Sequence, residues 1–298
     1  MKIIAILVTH GYYPSRLDRS EPDYAKDQLA LMGVALAGYD IRIEPVFWQD
    51  NGVDWSRFAA VMPLLAWNYP QHVDILLARL DEIESIGVPV LNAPQVLRAN
   101  MDKSYLADLA QRGAPVPPTR SVDSCTPAII LSSFDHFDTD EIIIKPRIGA
   151  GAWRQARLKR GEAVPSADVL PPAAALIQPF LPAVTDEGEL SLLYFGDTFS
   201  HAVLKRPQAG DYRTQGQFGA RETGVPAPPD ALTAAREVLD RAEGAPFTYA
   251  RVDLVRGYDG NWLLMELELI EPWLYLALDG QAGKHGAALF AEAVAARI

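Results

Sequence analysis

The sequence predicts an α/β fold that turns α+β in its later part. Apolar runs alternate with amphipathic stretches over about the first 90 residues, the pattern of a parallel sheet with helices on its faces. Beyond Leu190, strand-like runs follow one another through the short turns Gly196-Asp197 and Tyr258-Asp259-Gly260-Asn261, the pattern of hairpins.

Lys2–Thr9 is a continuous apolar run of the kind buried in parallel sheets. Tyr24–Ala37 carries apolar residues at helical spacing, and Gly38 stops it. Ile41–Phe47 alternates like a second strand, and Phe58–Leu65 is a third apolar run. Val73–Ser85 reads as an amphipathic helix ending at Gly87, and Val88–Leu91 as a short fourth strand. After the turn Asn92-Ala93-Pro94, Asp102–Arg112 is helical, with Asp102 placed to cap it and Gly113 to stop it. Ala114-Pro115-Val116-Pro117-Pro118-Thr119 forms an extended connector. Strands are expected at Glu141–Lys145, Trp153–Leu158 and Ala173–Gln178, with Gly161–Pro172 as a loop. The strands Leu190–Phe195 and Thr198–Leu204 follow, then a helix over Asp230–Ala242. Phe247–Val255 and Trp262–Leu269 are strands, and Ala287–Arg297 is a helical tail.

Composition narrows the function classes. The 298 residues are 49% apolar and 22% charged, ordinary for a globular protein with a sizeable core. A net charge of −11 argues against a nucleic-acid surface, which needs a basic stripe. A single cysteine, Cys125, rules out an intrachain disulfide, and the five histidines lack metal-ligand spacing. No apolar run reaches ~18 residues, the length that spans a bilayer, and Met1–Val8 is too short for a signal peptide. A cytoplasmic protein without membrane or nucleic-acid partners is expected.

Several groups of residues carry chemistry. Lys145 ends the run Ile142-Ile143-Ile144 ahead of Pro146, so its head projects at a sheet edge; a solvated lysine is the ordinary alternative. Gly149-Ala150-Gly151 lets backbone N–H groups close over phosphate oxygens, or makes a plain turn. In Gln178-Pro179-Phe180-Leu181, the Pro179 carbonyl and Leu181 N–H suit an adenine edge, and Gln178 adds a side-chain acceptor; a strand leaving its sheet reads the same way. Glu187 and Glu189 stand ahead of a strand, where either carboxylate suits ribose hydroxyls or a solvated turn. Lys205 and Arg213 lie in two basic segments, suited to anions or to surface salt bridges. Asp253, Glu266 and Glu268 fall on adjacent strands, and a period of two puts Glu266 and Glu268 on one face. Leu264, Met265, Leu267 and Leu269 mark that strand as largely buried, so hard oxygens gathered there imply magnesium.

Taken in order, these pieces resemble the ATP-grasp superfamily of ligases, from about Asn92 to Leu278. The segments Trp67-Asn68-Tyr69-Pro70, Asp102–Leu106, Ile144-Lys145-Pro146, Gly188–Leu192, Ser200–Lys205 and Glu266–Pro272 are similar to its glutathione-synthetase-like branch, which contains D-cycloserine synthetase. The resemblance implies three parts: an N-terminal α/β domain over 1–95, a small ATP-grasp subdomain over 96–182, and a large C-terminal subdomain with the metal site over 183–298. It implies ATP and Mg2+ as cofactors, with Lys103 and Lys145 on phosphates and Gly149, Ala150 and Gly151 covering them. It further implies Gln178, Pro179, Phe180 and Leu181 at adenine, Glu189 (or Glu187) at ribose, and Asp253, Glu266 and Glu268 on magnesium. Glu268 departs from the Asn usual at that position. Lys205 and Arg213 would serve the transferring phosphoryl group and the substrate carboxylate. The implied activity is ATP-dependent carboxylate–amine ligation of small molecules through an acyl phosphate, ring-closing or intermolecular, in a chain that could self-associate. A non-catalytic ATP-sensing module of the same fold is the competing reading. The segment His10–Ala25 is expected to shape the acceptor pocket.

Overall fold

A computed structural model describes residues 1–10 and 24–298. The expectation for His10–Ala25 therefore falls mostly outside the described residues. In chain order the elements are β1 (Lys2–Val8), α1 (Tyr24–Ala37), β2 (Ile41–Phe47), β3 (Ala60–Leu65), α2 (Val73–Ser85), α3 (Pro94–Asn100) and α4 (Tyr105–Gln111). Next come β4 (Arg120–Val122), α5 (Pro127–Phe137), β5 (Glu141–Pro146), β6 (Ala156–Lys159), β7 (Ala175–Pro179) and α6 (Ala183–Asp186). The chain continues through β8 (Glu189–Phe195), β9 (Thr198–Arg206), β10 (Arg221–Val225), α7 (Pro229–Arg241), β11 (Tyr249–Arg256), β12 (Trp262–Glu268) and α8 (Lys284–Ala295).

The strands form three sheets: parallel β2-β1-β3, antiparallel β4-β7-β5-β6, and antiparallel β10-β9-β8-β11-β12. Strand β1 shows why the first sheet is buried on both faces. Ile4, Ile6 and Val8 pack with α1 and α8, while Ala5 and Leu7 pack with α2 and the Trp48–Trp55 side. The first of these cores also takes Leu193, Phe195, Val203 and Tyr249 from the five-stranded sheet, so helix α8 lies between two sheets. The opposite face of the five-stranded sheet, through Leu190, Leu192, Val252, Leu254 and Leu264, packs on Ala231, Ala235, Val238 and Leu239 of α7. The four-stranded sheet has its own core with α5.

Some expectations shift. Val88–Leu91 is not a strand; Val90 makes one parallel bridge to Val61, and Pro89 has no N–H with which to extend a ladder. The strand expected from Trp153 starts at Ala156, because Ala152 and Arg154 take positive φ and turn the chain. Helix α8 starts three residues early, at Lys284, where Asp279 accepts from the N–H groups of Gly283 and Gly286 at 2.8 Å each. Between Thr119 and Glu141 the periodicity assigns nothing, yet β4 and α5 lie there. Among the described residues, no helix is long and apolar enough to cross a membrane.

Candidate active site

The strand register builds the site. On the face of the five-stranded sheet away from α7, Glu222, Lys205 and Glu189 stand side by side across β10, β9 and β8. The next row runs Ser191, Asp253, Glu266 across β8, β11 and β12, and the next Leu193, Arg251, Glu268. Between Asp253 and Leu254 the register slips by one, so Met265 has no partner opposite it. Such a bulge lets two successive residues serve one side of a strand. Met265 joins the apolar group of Phe180, Leu181, Val184 and Val255, and Glu266 next to it lines the same cavity.

That cavity, about 870 Å³, is roofed by the β5–β6 loop. It is lined by Lys103, Lys145, Gly149, Ala150, Gly151, Pro179, Phe180, Leu181, Glu189, Lys205, Arg213, Asp253, Glu266 and Glu268, all expected from the sequence. Two expected residues are not in its lining. Gln178 turns to the other side of its strand, where its Nε2 donates to Thr119 Oγ1 at 2.8 Å. Glu187 is exposed and lies 3.4 Å from Arg256, which leaves Glu189 as the cavity's carboxylate at that corner.

The loop over the cavity is anchored at several points. Arg147 donates to Asp102 through Nε at 2.9 Å and Nη2 at 2.6 Å, and its carbonyl accepts from Lys103 N–H. Lys103 Nζ donates to the Gly149 carbonyl, and Gln217 Nε2 to that of Gly151 at 3.0 Å. Gly149 has no room for a side chain, since a Cβ there would lie 2.7 Å from Pro146 Cγ. Leu181 lines the cavity and its N–H has no hydrogen-bond acceptor among the described residues, while the Tyr258 hydroxyl donates to the neighbouring Phe180 carbonyl at 2.7 Å.

The charges pair closely. Asp253 is buried and accepts from Ser191 Oγ at 2.6 Å, Arg251 Nε at 3.0 Å and Lys205 Nζ at 3.2 Å. Burial alone would raise its pKa; Arg251 and Lys205 outweigh that and hold it far below the carboxylate range. Burial would likewise lower Lys205, but Asp253 and Glu189 hold it well above the ordinary lysine value. Lys103 lies 3.0 Å from Glu266, and Arg251 bridges Asp253 to Glu268. Burial pushes the Glu268 carboxyl up to about 7; Arg251 opposes this, while Glu266 and Asp253 reinforce it. Lys145 is in the opposite condition. It makes no ion pair among the described residues, and burial pulls its pKa down against Glu266 and Glu189. Arg213 is held by Asp211, 2.6 Å from Nη2 to Oδ2, and lies 3.7 Å over the Phe218 ring.

The expected metal triad is therefore not preassembled. Among the described residues no three His, Cys, Asp or Glu side chains stand together as a metal site, because each carboxylate of the three is drawn to a lysine or arginine. Arg251, Tyr275, Glu222 and Glu271 line the cavity as well, and the motifs do not single them out. A period of two from Asp253 would have placed Arg251 on the same face; nothing in the sequence brings Tyr275 there.

Residues 4–92 match the family model of the D-cycloserine synthetase N-terminal domain. Over 278 residues, 87% of this chain and 89% of the relative, the sequence is 32% identical to the cycloserine biosynthesis protein DcsG of Streptomyces lavendulae. The crystal structure of D-cycloserine synthetase DcsG superposes with a TM-score of 0.83 at 27% identity, covering 99% of both chains. A glutathione synthetase of Ralstonia nicotianae is 27% identical over 72% of this chain and 64% of its own. The ATP-grasp ligase PsnB, solved with Mg and ADP, shares the fold at a TM-score of 0.63 and 16% identity, over 99% of this chain and 97% of its own. The chain belongs to the D-cycloserine synthetase family and is an ATP-dependent, carbon–nitrogen bond-forming ligase of the ATP-grasp fold.

Proposed function

We infer that the enzyme activates an amino-acid carboxylate as an acyl phosphate and closes a ring onto a nitrogen of the same molecule. The observation that carries this is the match to a cycloserine biosynthesis protein along 87% of the chain, together with a cavity lined by cations and carboxylates in register. Cycloserine is a cyclic hydroxamate, whose ring closes when the carboxyl carbon bonds to an oxygen-bound nitrogen.

On this reading the chain divides into three parts at 95 and 182, and the cavity's residues take the following roles. Lys103 and Lys145 face phosphates; the lone charge of Lys145 gains a partner only when an anion arrives. The 149–151 loop covers the phosphates, and the unpaired Leu181 N–H with the Pro179 carbonyl meets the adenine edge above Phe180 and Met265. Glu189 takes ribose. Lys205 and Arg213 face the substrate carboxylate and the phosphoryl group moving onto it. The carboxylate oxygen bonds to the γ-phosphorus as ADP leaves; the nitrogen then attacks the acyl carbon, and phosphate departs with one former carboxylate oxygen. Most of the rate enhancement is positioning and electrostatics.

Magnesium fits by donor chemistry. Six carboxylates line the cavity (Glu189, Glu222, Asp253, Glu266, Glu268, Glu271) against five cationic side chains (Lys103, Lys145, Lys205, Arg213, Arg251). Glu266 and Glu268 would hold the ion, and Asp253 would join them only with Arg251 displaced. When bound, magnesium neutralises phosphate oxygens. The enzyme is expected to work in the cytoplasm on small molecules, alone or as a homo-oligomer.

An isotope experiment tests the reading. Amino acids, D-amino acids and small dipeptides, together with serine derivatives carrying a nitrogen on the side-chain oxygen, each with an 18O-labelled carboxylate, are incubated with enzyme and Mg-ATP. Label recovered in inorganic phosphate supports acyl-phosphate chemistry. Inorganic phosphate released without 18O would overturn the acyl-phosphate reading.

A further inference from the structure

The cavity's carboxylates are not all paired. Glu189, Asp253, Glu266 and Glu268 each have a lysine or arginine within ion-pair distance. Glu222 and Glu271 have none among the described residues. The two differ in setting. The charges that bear on Glu271 are Glu268, Lys103 and Glu266, so it extends the acidic bank of β12 just past the strand's end. Glu222 stands on the far side of Lys205, its direct cross-strand partner.

Cross-strand partners have Cβ atoms about 5 Å apart, close enough for an ion pair. Lys205 nonetheless leans the other way, toward Glu189 and Asp253. Glu222 keeps one neutral donor, the Tyr275 hydroxyl, 3.2 Å from Oε1. The Tyr275 ring meets Trp273 edge-on at 6.5 Å, and Trp273 meets Trp67 at 6.0 Å; all three rings line the same cavity. A carboxylate steadied by one neutral donor beside aromatic rings suits an organic ammonium group, through a charge-assisted hydrogen bond and ring contact. A metal ion would need more hard oxygens than this corner offers, and an anion would be repelled.

We propose that Glu222 binds the α-ammonium group of the amino-acid substrate, with Tyr275 as the positioning residue that orients its carboxylate. This rests on the ligase reading above, which puts the nucleotide at the Lys145 end and leaves this end to the acid. The substrate's two charges then have separate anchors, cations for its carboxylate and Glu222 for its amine. An acid without the amine loses an anchor but keeps the activation chemistry.

The test reads binding, apart from turnover. Tryptophan fluorescence follows titration of the intact enzyme with D-cycloserine and with 3-isoxazolidinone, the same ring without the amino group. Wild type is expected to prefer D-cycloserine, and Glu222→Gln to lose about tenfold in affinity for it, the weight of one charge-assisted hydrogen bond. Affinity for 3-isoxazolidinone should be equal in the two proteins. Glu222→Asp, which keeps the charge, should retain part of the preference, and Tyr275→Phe should lose several-fold for the amine alone. In turnover, Glu222→Gln should raise KM for the amino acid and leave kcat within a few-fold. Equal binding of the two rings by wild type, equal loss for both in Glu222→Gln, or a fall in kcat with KM unchanged would each overturn the assignment. Failure of the ligase reading would appear elsewhere, as phosphate without 18O.

Discussion

Lys145 shows how a single side chain can be placed against stability. It is a partly buried ammonium without an ion-pair partner, and burial depresses its pKa. An uncompensated charge of this kind costs folding free energy. Lys145→Met is therefore expected to leave the apoprotein's Tm unchanged or higher while ADP release falls by about 10²-fold or more. A variant that kept near-normal turnover would remove Lys145 from the phosphate site. Arg213 is arranged in the opposite way, gripped by a carboxylate outside the cavity lining. The Arg213 guanidinium is the first cause holding the Asp211 pKa down at about 2. A depressed carboxylate pKa stabilises the fold above the unfolded value near 3.8 and loses that contribution as pH falls through about 2. Asp211→Asn should thus cost about 1 kcal/mol at pH 7, kept small by solvent screening, and progressively less between pH 4 and pH 2. Urea unfolding of both proteins across that range checks the sign. Not every residue was legible. Lys145 and the Asp253 set are conspicuous in sequence because a charge interrupts an apolar run. Arg251 is equally buried in the set but reads as an ordinary charge within the Phe247–Val255 strand, and the neutralisation it provides was invisible until the register was known.

At the scale of elements, hydrophobic periodicity is informative where a strand or helix has one or two apolar faces. Strands β1 and β2, helices α1 and α2, and the β8–β9 hairpin follow from it to within a residue or two. It misses α5, whose signal is chemical instead. Thr126 caps the helix by accepting from Ile129 N–H at 3.3 Å, and Pro127 opens it. The glycine loop was legible as a cover but not as a tethered one, because its tether, the Arg147–Asp102 pair, spans 45 residues. Arg147→Ala should loosen that element specifically. Amide exchange over residues 148–152 should speed up and KM for ATP rise several-fold, with Tm shifting by no more than about 2 °C. Unchanged exchange would mean that Lys103 and Gln217 hold the loop without it.

At the scale of the molecule, the core around α8 joins the N-terminal sheet to the five-stranded sheet, whereas the four-stranded sheet is packed around a core of its own. Phe290 is fully buried at that junction, 5.6 Å from the Phe195 ring. Phe290→Ala should cost about 3–5 kcal/mol. Its exchange signature should appear in β1 and β8 together and leave β5 unaffected; acceleration in β8 alone would separate the two sheets into independent units. The bulge at Met265 has a consequence at this scale too. A regular strand shows a given side every second residue, so a greasy side chain and an acidic one cannot be neighbours there. One unpaired residue removes that restriction and sets a dry floor and an ionic bank edge to edge on β12. The two then move as one body: any substitution that re-seats β12 against β11 shifts both, and an evolutionary change in what rests on the floor drags the ionic bank with it.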